Sequence, residues 1–254
     1  MSNYGFWYNY LWIAPHVLLA GLCILLLQRK LAREYPAFFA YTVYECFQFI
    51  LGLALYRYKG ITDDQYMEIY LIGACISSLL RFAIVYEVFR HLFHDYPVLS
   101  TFGKILYRWS AALLVLASVI LIAWTTQDLQ NHVSIWVNVV DRMVCIIQLG
   151  LLVVLFGASR FLGFSWRNLS FGIALGLGLF AAVELAVTAV RAAYGPATMI
   201  MFFNYFTMGT YHVCVMIWLF YAWAPERYMT FSPLAVRENT LEGWNLALKR
   251  VIER

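Results

Sequence analysis

Apolar residues form seven long stretches along the chain, separated by short polar connections. Each stretch has about 20 residues or more, the length that crosses a hydrocarbon core about 30 Å thick. The pattern therefore predicts an all-α membrane protein, a bundle of seven transmembrane helices. The predicted spans are Tyr8–Leu27, Pro36–Leu55, Met67–Phe93, Ile105–Trp124, Val133–Phe156, Leu169–Ala192 and Met199–Trp223.

Basic residues lie almost entirely on one side of the predicted spans. With the N-terminus outside, the cytoplasmic segments contain 13 of the 18 lysines and arginines and the outer segments contain 3, while Arg81 and Arg142 lie within spans. Short cytoplasmic loops of membrane proteins are enriched in Lys and Arg. The distribution predicts an outer N-terminus and a cytoplasmic C-terminus.

Composition sets the domain organisation. With 63% hydrophobic and 13% charged residues, a soluble globular protein is excluded. We predict a seven-helix bundle over residues 1–224 and a cytoplasmic tail over 225–254, in which Asn239 and Glu242 resemble a capping box that opens a short amphipathic helix. The first span lacks a basic leader and a cleavage motif, so we expect a retained helix. The expected location is a bacterial cytoplasmic (inner) membrane.

The most informative residues are the ionisable ones inside the predicted spans, because a charged side chain in hydrocarbon is unfavourable unless it meets a partner or water. At a rise of about 1.5 Å per residue, Arg81 and Asp141 lie roughly 18 and 22 Å from the inner boundary. Their similar depth predicts a structural ion pair between Arg81 and Asp141, which spares each side chain burial without a partner.

A second group of polar residues falls in the outer half of the predicted bundle. His16 and Glu184 both lie about 12 Å below the outer boundary. We expect polar residues from spans 1, 5, 6 and 7 to line a pocket open to the outside, and the alternative left open is a dry hydrogen-bond network within the bundle. The predicted ligand-binding residues are His16, Asn138, Asp141, Glu184, Arg191, Tyr205, Thr207, Tyr211 and His212.

Cofactor and metal chemistry can also be weighed against the sequence. Glu45, Glu87 and His91 fall in the inner half and offer metal ligands or a proton relay. Glu87 has His91 four residues ahead, however, so ordinary helical pairing accounts for it. All four lysines lie outside the spans, which excludes retinal bound through a lysine of the seventh helix. No nucleophile–base pair is assembled, so catalysis is not the favoured class, no metal ligands are assigned, and any cofactor stays unknown.

Three classes of function remain. In architecture, the seven predicted spans resemble the seven-helix sensory regions attached to bacterial histidine kinases and diguanylate cyclases, with a short tail in place of the output domain. The favoured hypothesis is a receptor-like or sensory module that binds a small or lipid-like ligand in the outer half and couples to a partner through helix motion or its tail. The alternatives are a transporter or proton-coupled carrier that uses the intramembrane charges, and an accessory subunit of a membrane complex. The expected partners are the bilayer, such a ligand, and another membrane protein or a second copy of the chain, with no nucleic acid.

Overall fold

The computed structural model describes five main segments of the chain. These are residues 5–57, 62–92, 141–150, 168–194 and 200–224, together with 108, 109, 112 and 153. Almost all of the predicted fourth span, the candidate residue Asn138 and the tail at 225–254 lie outside the described residues.

All regular secondary structure in the described residues is helical, as the apolar pattern predicts. The predicted spans that begin at Pro36 and Leu169 start at the same residues in the structure. The helices are α1 Phe6–Gln28, α2 Leu31–Glu34, α3 Pro36–Arg57, α4 Asp63–Leu92, α5 at residues 141–150, α6 Leu169–Tyr194 and α7 Ile200–Trp223.

Four of the described helices are long and apolar enough to cross a membrane. They cover Phe6–Gln28, Pro36–Leu55, Glu68–His91 and Leu169–Arg191. Only 17% of the α3 span is buried inside the protein, so large apolar side chains face outward. Phe47 and Ile50, for example, are 58% and 63% exposed. An apolar outer surface of this kind indicates a membrane-embedded protein, because water would oppose its exposure.

The seventh predicted span, α7, has 24 residues but is not among these four helices. The part of α7 up to His212 contains polar side chains that lower its hydropathy, among them Asn204, Thr207, Thr210 and His212. Its second half is apolar and ends at Trp223. Helix α7 therefore has the length of a span, while its N-terminal half carries polar residues that need partners inside the bundle.

Among the described residues, five long helices pack in a ring, in which α6 packs on α7, α7 on α1, α1 on α3, α3 on α4, and α4 on α6. Helices α1 and α7 run parallel, since Tyr8 meets Tyr205 at one end and Arg29 donates a hydrogen bond to the Ala224 carbonyl at the other. Short connections make α1 and α3, α3 and α4, and α6 and α7 antiparallel. The ring therefore encloses a central space.

Helices α6 and α7 approach closely at two glycines of α6. A Cβ built at Gly172 would collide with the ring of Tyr221, and one at Gly176 would collide with the indole of Trp218. Trp218 is buried, and its Nε1 donates to the Ile173 carbonyl at 3.4 Å. The glycine spacing that the sequence shows thus serves packing within the bundle, as small residues at helix interfaces commonly do.

Helix α3 begins at a turn that is fixed from two sides. Lys30 precedes α2 with φ of 61°, in the left-handed region, and reverses the chain after α1. The Glu87 carboxylate then accepts hydrogen bonds from the backbone N–H groups of Ala37 and Phe38, both at 2.9 Å. These are N–H groups that the first turn of a helix leaves without an intrahelical partner. Helical spacing predicts pairing of Glu87 along its own helix, whereas both oxygens bind another helix.

The same end of the bundle carries a second set of contacts between helices. The Tyr35 hydroxyl lies 2.7 Å from Ser170 Oγ at the start of α6, and the His91 ring stacks on Tyr35 at 4.4 Å between centroids. With the cap at Glu87 and the bond from Arg29 to Ala224, these contacts join α1, α3, α4, α6 and α7 at one end, which we call the closed end.

Candidate functional site

A cavity of about 460 Å³ occupies the centre of the ring, on the side away from the closed end. This volume is within the range of small-molecule sites, which are mostly apolar with a few placed polar groups. Its polar lining residues are His16, Glu45, Gln48, Ser77, Arg81, Asp141, Glu184 and Thr207. Its aromatic lining residues are Trp12, Tyr41, Phe49, Tyr66, Tyr70, Phe180 and Tyr211.

Arg81 of α4 forms the charged floor of this cavity. Its side chain is 6% exposed, and it pairs with Asp141 of α5 and, at 3.1 Å, with Glu184 of α6. Ser78 accepts a further hydrogen bond from Arg81 Nη2 at 3.0 Å and donates to Asp141 at 2.6 Å. The sequence predicts the pair of Arg81 with Asp141, and the structure places these two side chains in contact.

Physical chemistry explains why three charges lie together at this depth. A lone arginine in hydrocarbon is strongly unfavourable, whereas one held by carboxylates and hydrogen bonds is tolerated. Arg81 also lies 5.6 Å from the centre of the Phe180 ring, a cation–π distance. Cys145 donates to Glu184 Oε2 at 3.2 Å. When Arg81, Asp141 and Glu184 are all ionised, this cluster carries one net negative charge.

Glu45 of α3 is a separate carboxylate in the cavity wall. It accepts a hydrogen bond from Ser77 of α4. Three residues further along α3, the Gln48 side chain lines the same cavity, and its Oε1 is buried without a hydrogen-bond partner in the described part of the chain. A buried acceptor of this kind is unfavourable unless a donor reaches it.

Aromatic rings make up the wall on the α1 side. His16 stacks on Phe49 at 4.1 Å between ring centroids, and its Nδ1 lies 2.9 Å from the Trp12 carbonyl oxygen. Tyr211 of α7 contacts His16 and Phe180, at 6.0 and 5.6 Å between centroids. The rings give the cavity a rigid apolar surface with a small number of polar atoms.

A shallow groove between α3 and α4 adjoins the cavity. Gln48, Gly52, Tyr66 and Tyr70 line both the groove and the cavity. The other walls of the groove include Phe47, which is exposed on the apolar surface. The groove therefore links the lipid-facing surface of α3 and α4 with residues that line the central cavity.

Five of the predicted ligand-binding residues line this cavity. His16, Asp141, Glu184, Thr207 and Tyr211 reach it from α1, α5, α6 and α7. These helices correspond to predicted spans 1, 5, 6 and 7, from which polar residues are expected to converge.

Three further predicted ligand-binding residues make contacts elsewhere. Arg191 donates to Asn204 at 3.1 Å, while the Tyr205 ring contacts Tyr8 and the His212 ring contacts Tyr10, both at 5.7 Å. All three side chains meet neighbouring helices α1 and α7, away from the lining of the cavity. Asn138 lies outside the described residues.

Sequence reasoning also misses several lining residues. It assigns Arg81 to a structural pair alone and Glu45 to an inner-half group, yet both side chains line the cavity. The aromatic residues Trp12, Tyr66 and Tyr70 carry no pattern that separates them from interfacial aromatics at a membrane boundary. Their role in the wall depends on which face of each helix is turned inward.

One group of side chains at the floor has the donor types of a metal site. Ligand atoms of Asp141, Cys145 and Glu184 all lie within 4.8 Å of one another. Arg81 donates to both carboxylates, however, and already supplies the positive charge that a metal ion would bring. The arrangement therefore fits an arginine-centred ion-pair cluster better than a divalent metal site.

Comparisons with protein-family models, with curated proteins and with solved structures find no match to this chain.

Proposed function

We propose that the protein is a receptor-like membrane module of seven spans, with its N-terminus outside a bacterial inner membrane. Its central cavity binds a small or lipid-like ligand in the outer half of the bundle. The observation that carries this proposal is the cavity of about 460 Å³ with the buried Arg81 and its partly buried partners Asp141 and Glu184 at its floor. Buried charges beside an aromatic cavity are typical of binding sites in membrane bundles.

The groove between α3 and α4 supports a ligand that partitions into lipid. Such a ligand would reach the cavity sideways, past Gly52 and Tyr70, which line both spaces. A Cβ built at Gly52 meets no other atom within 4 Å, so this part of the path is open. Lipid-soluble molecules concentrated in the bilayer would enter here without crossing water.

The ion-pair cluster offers a physical route from binding to response. Arg81, Asp141 and Glu184 belong to three different helices, so a ligand that competes for one carboxylate changes the contacts of all three. The resulting helix displacement would be passed to the cytoplasmic tail, to another membrane protein or to a second copy of this chain. A response requires a ligand with different affinities for the two arrangements.

A transporter or proton-coupled carrier is the second candidate. The observation that favours it is the direct contact among the same three intramembrane charges, because carriers use such groups along ion and proton pathways. In this class, Asp141→Asn abolishes flux in proteoliposomes while the protein remains folded. Unchanged flux in that variant would remove the carrier hypothesis.

Native purification with mass spectrometry tests the ligand-binding proposal. We expect the wild-type protein to retain a non-bilayer molecule, and Gly52→Leu, which adds a side chain into the cavity, to lose it. Gly21→Leu is the matched control, since Gly21 is exposed and a Cβ there also meets no atom within 4 Å. Retention of no such molecule by the wild type, or equal retention by Gly52→Leu, would count against a ligand in this cavity.

A further inference from the structure

We infer that the ligand of the central cavity carries a positively charged amine that binds at Glu45. This inference rests on the proposed function and adds the chemical class of the ligand. It comes from the balance of charges, one buried acceptor with no donor among the described residues, and the aromatic rings of one cavity wall.

The described lining residues hold three carboxylates and one guanidinium. The two terminal nitrogens of Arg81 pair with Asp141 and Glu184, which leaves Glu45 without an ion-pair partner among the described residues. Arg142 is exposed, and Arg191 is bound to Asn204. A carboxylate held in a low-dielectric cavity is stabilised by a cation far more than by the neutral hydroxyl of Ser77.

Hydrogen-bond capacity points to an ammonium group in particular. Glu45 offers carboxylate lone pairs, and Gln48 Oε1, three residues ahead on the same helix wall, is a buried acceptor with no donor in the part of the chain that the structure describes. A primary ammonium has three donors and no acceptor. One such group placed between α3 and α4 would satisfy both side chains.

The rings of the wall favour an organic cation over an anion. Tyr41 and Phe49 flank Glu45 and Gln48 along α3, and Tyr70 lines the cavity from α4. Aromatic faces attract ammonium groups, by about 0.5–2 kcal/mol at positions between exposed and desolvated. An anionic ligand would instead meet the carboxylate of Glu45 and a cluster of Arg81, Asp141 and Glu184 that carries a net negative charge when all three are ionised. The cavity is therefore suited to an amphipathic arylalkylamine.

Binding of three probes of similar shape tests the inference. The purified full chain in detergent is titrated with 2-phenylethylammonium, with the neutral 2-phenylethanol and with the anionic 3-phenylpropionate, by isothermal calorimetry. We expect the amine to bind about tenfold or more tightly than the alcohol, and the acid to bind weakest. In Glu45→Gln the preference for the amine is lost. Glu68→Gln, which changes an exposed carboxylate of α4 outside the lining, retains it.

A second variant guards against loss of folding. Gln48→Leu keeps the charge at Glu45 and removes one acceptor, so we expect amine affinity to fall about tenfold or more with the affinity for the alcohol unchanged, as for one hydrogen bond to a charged group. Equal binding of amine and alcohol, tightest binding of the acid, or an amine preference that survives in Glu45→Gln would overturn the inference.

The amine inference and the proposed function fail in different ways. If the alcohol or the acid binds best and Gly52→Leu abolishes its binding, the cavity is a ligand site for another chemical class. If no probe binds and native protein retains a neutral or anionic molecule, the amine inference is also overturned and the site remains. If no probe binds and no molecule is retained, both proposals are overturned.

Discussion

Nη1 of Arg81 lies 3.1 Å from Oε2 of Glu184, a residue 103 positions further along the chain. The same guanidinium pairs with Asp141 of α5. One buried side chain therefore connects three helices that are distant in sequence. We expect this contact to contribute both to the stability of the bundle and to the shape of its cavity.

Removal of the guanidinium should destabilise the protein strongly. Arg81→Gln leaves two carboxylates close together without a cation, and breaking a buried pair in this way reduces the free energy of unfolding by about 3–5 kcal/mol. The measurement is denaturant or thermal unfolding in detergent. Arg142→Gln is the control, because Arg142 is exposed on α5. Equal stability of the two variants would contradict the assignment of Arg81 as the centre of the cluster.

Two glycine substitutions in the packed helices should differ in their effect on stability. Gly176→Ala places a methyl group against the Trp218 indole, and such overpacking reduces the free energy of unfolding by about 1–3 kcal/mol. Gly209→Ala meets no atom within 4 Å. It should be neutral or stabilising by up to about 1 kcal/mol, since alanine favours the helix. Thermal unfolding of both variants checks this, and a stabilised Gly176→Ala would show that α6 and α7 are not in close contact.

The cap on α3 can be tested at Glu87. Glu87→Ala removes the acceptor of the Ala37 and Phe38 N–H groups, and we expect a loss of about 0.5–2 kcal/mol, as for other helix caps. Hydrogen exchange at these two amides should rise more than in the middle of α3. Glu68→Ala is the control, because Glu68 is an exposed carboxylate on α4, the helix that carries Glu87. Unchanged exchange at Ala37 and Phe38 would refute the cap.

A double-mutant cycle tests the contact between Tyr35 and Ser170. The hydroxyl oxygens of Tyr35 and Ser170 are 2.7 Å apart at a buried position. Tyr35→Phe and Ser170→Ala should each reduce the free energy of unfolding by about 0.5–1.5 kcal/mol, and the double variant should lose less than the sum. Strict additivity would mean that the two hydroxyls do not interact.

Labelling of single cysteines tests the predicted orientation. In a background without the five native cysteines, Arg57→Cys should react with an impermeant maleimide on intact cells, whereas Arg33→Cys should react only after lysis. Both positions are exposed. Arg57 is the last residue of α3, and Arg33 lies in α2, just before the other end of α3. The reverse result would place the N-terminus in the cytoplasm and overturn the positive-inside assignment.

Helix positions can be predicted from the sequence because the length of an apolar stretch is counted directly along the chain. The segment from Pro36 shows this: proline suits the first turn of a helix, and the apolar stretch after it has the length of a span. In helix α7 the apolar pattern is weaker, since Asn204 and His212 lower its hydropathy, yet the helix still lies within the predicted span. The seven-span topology and the orientation remain predictions.

The candidate site depends on rotation and helix order, which the sequence does not contain. At a depth of about 12 Å below the outer boundary of a core of about 30 Å, Glu184 is level with Arg81, about 18 Å above the inner one. Equal depth is therefore compatible with the contact between Arg81 and Glu184. The sequence does not show, however, that their helices are neighbours. Arg191 lies seven residues beyond Glu184 on nearly the same face, and this rise of about 10 Å carries it to Asn204.

The closed end is the part of the bundle where we expect relative motion of the helices to be smallest. Glu87, Tyr35 and Arg29 join the helices there, so we expect any tilt of the helices to displace them most at the opposite end. The cavity lies away from the closed end, where this displacement would be largest. A small rotation of the helices about the closed end would therefore change the width of the space between α3 and α4, while the packing around Trp218 stays unchanged.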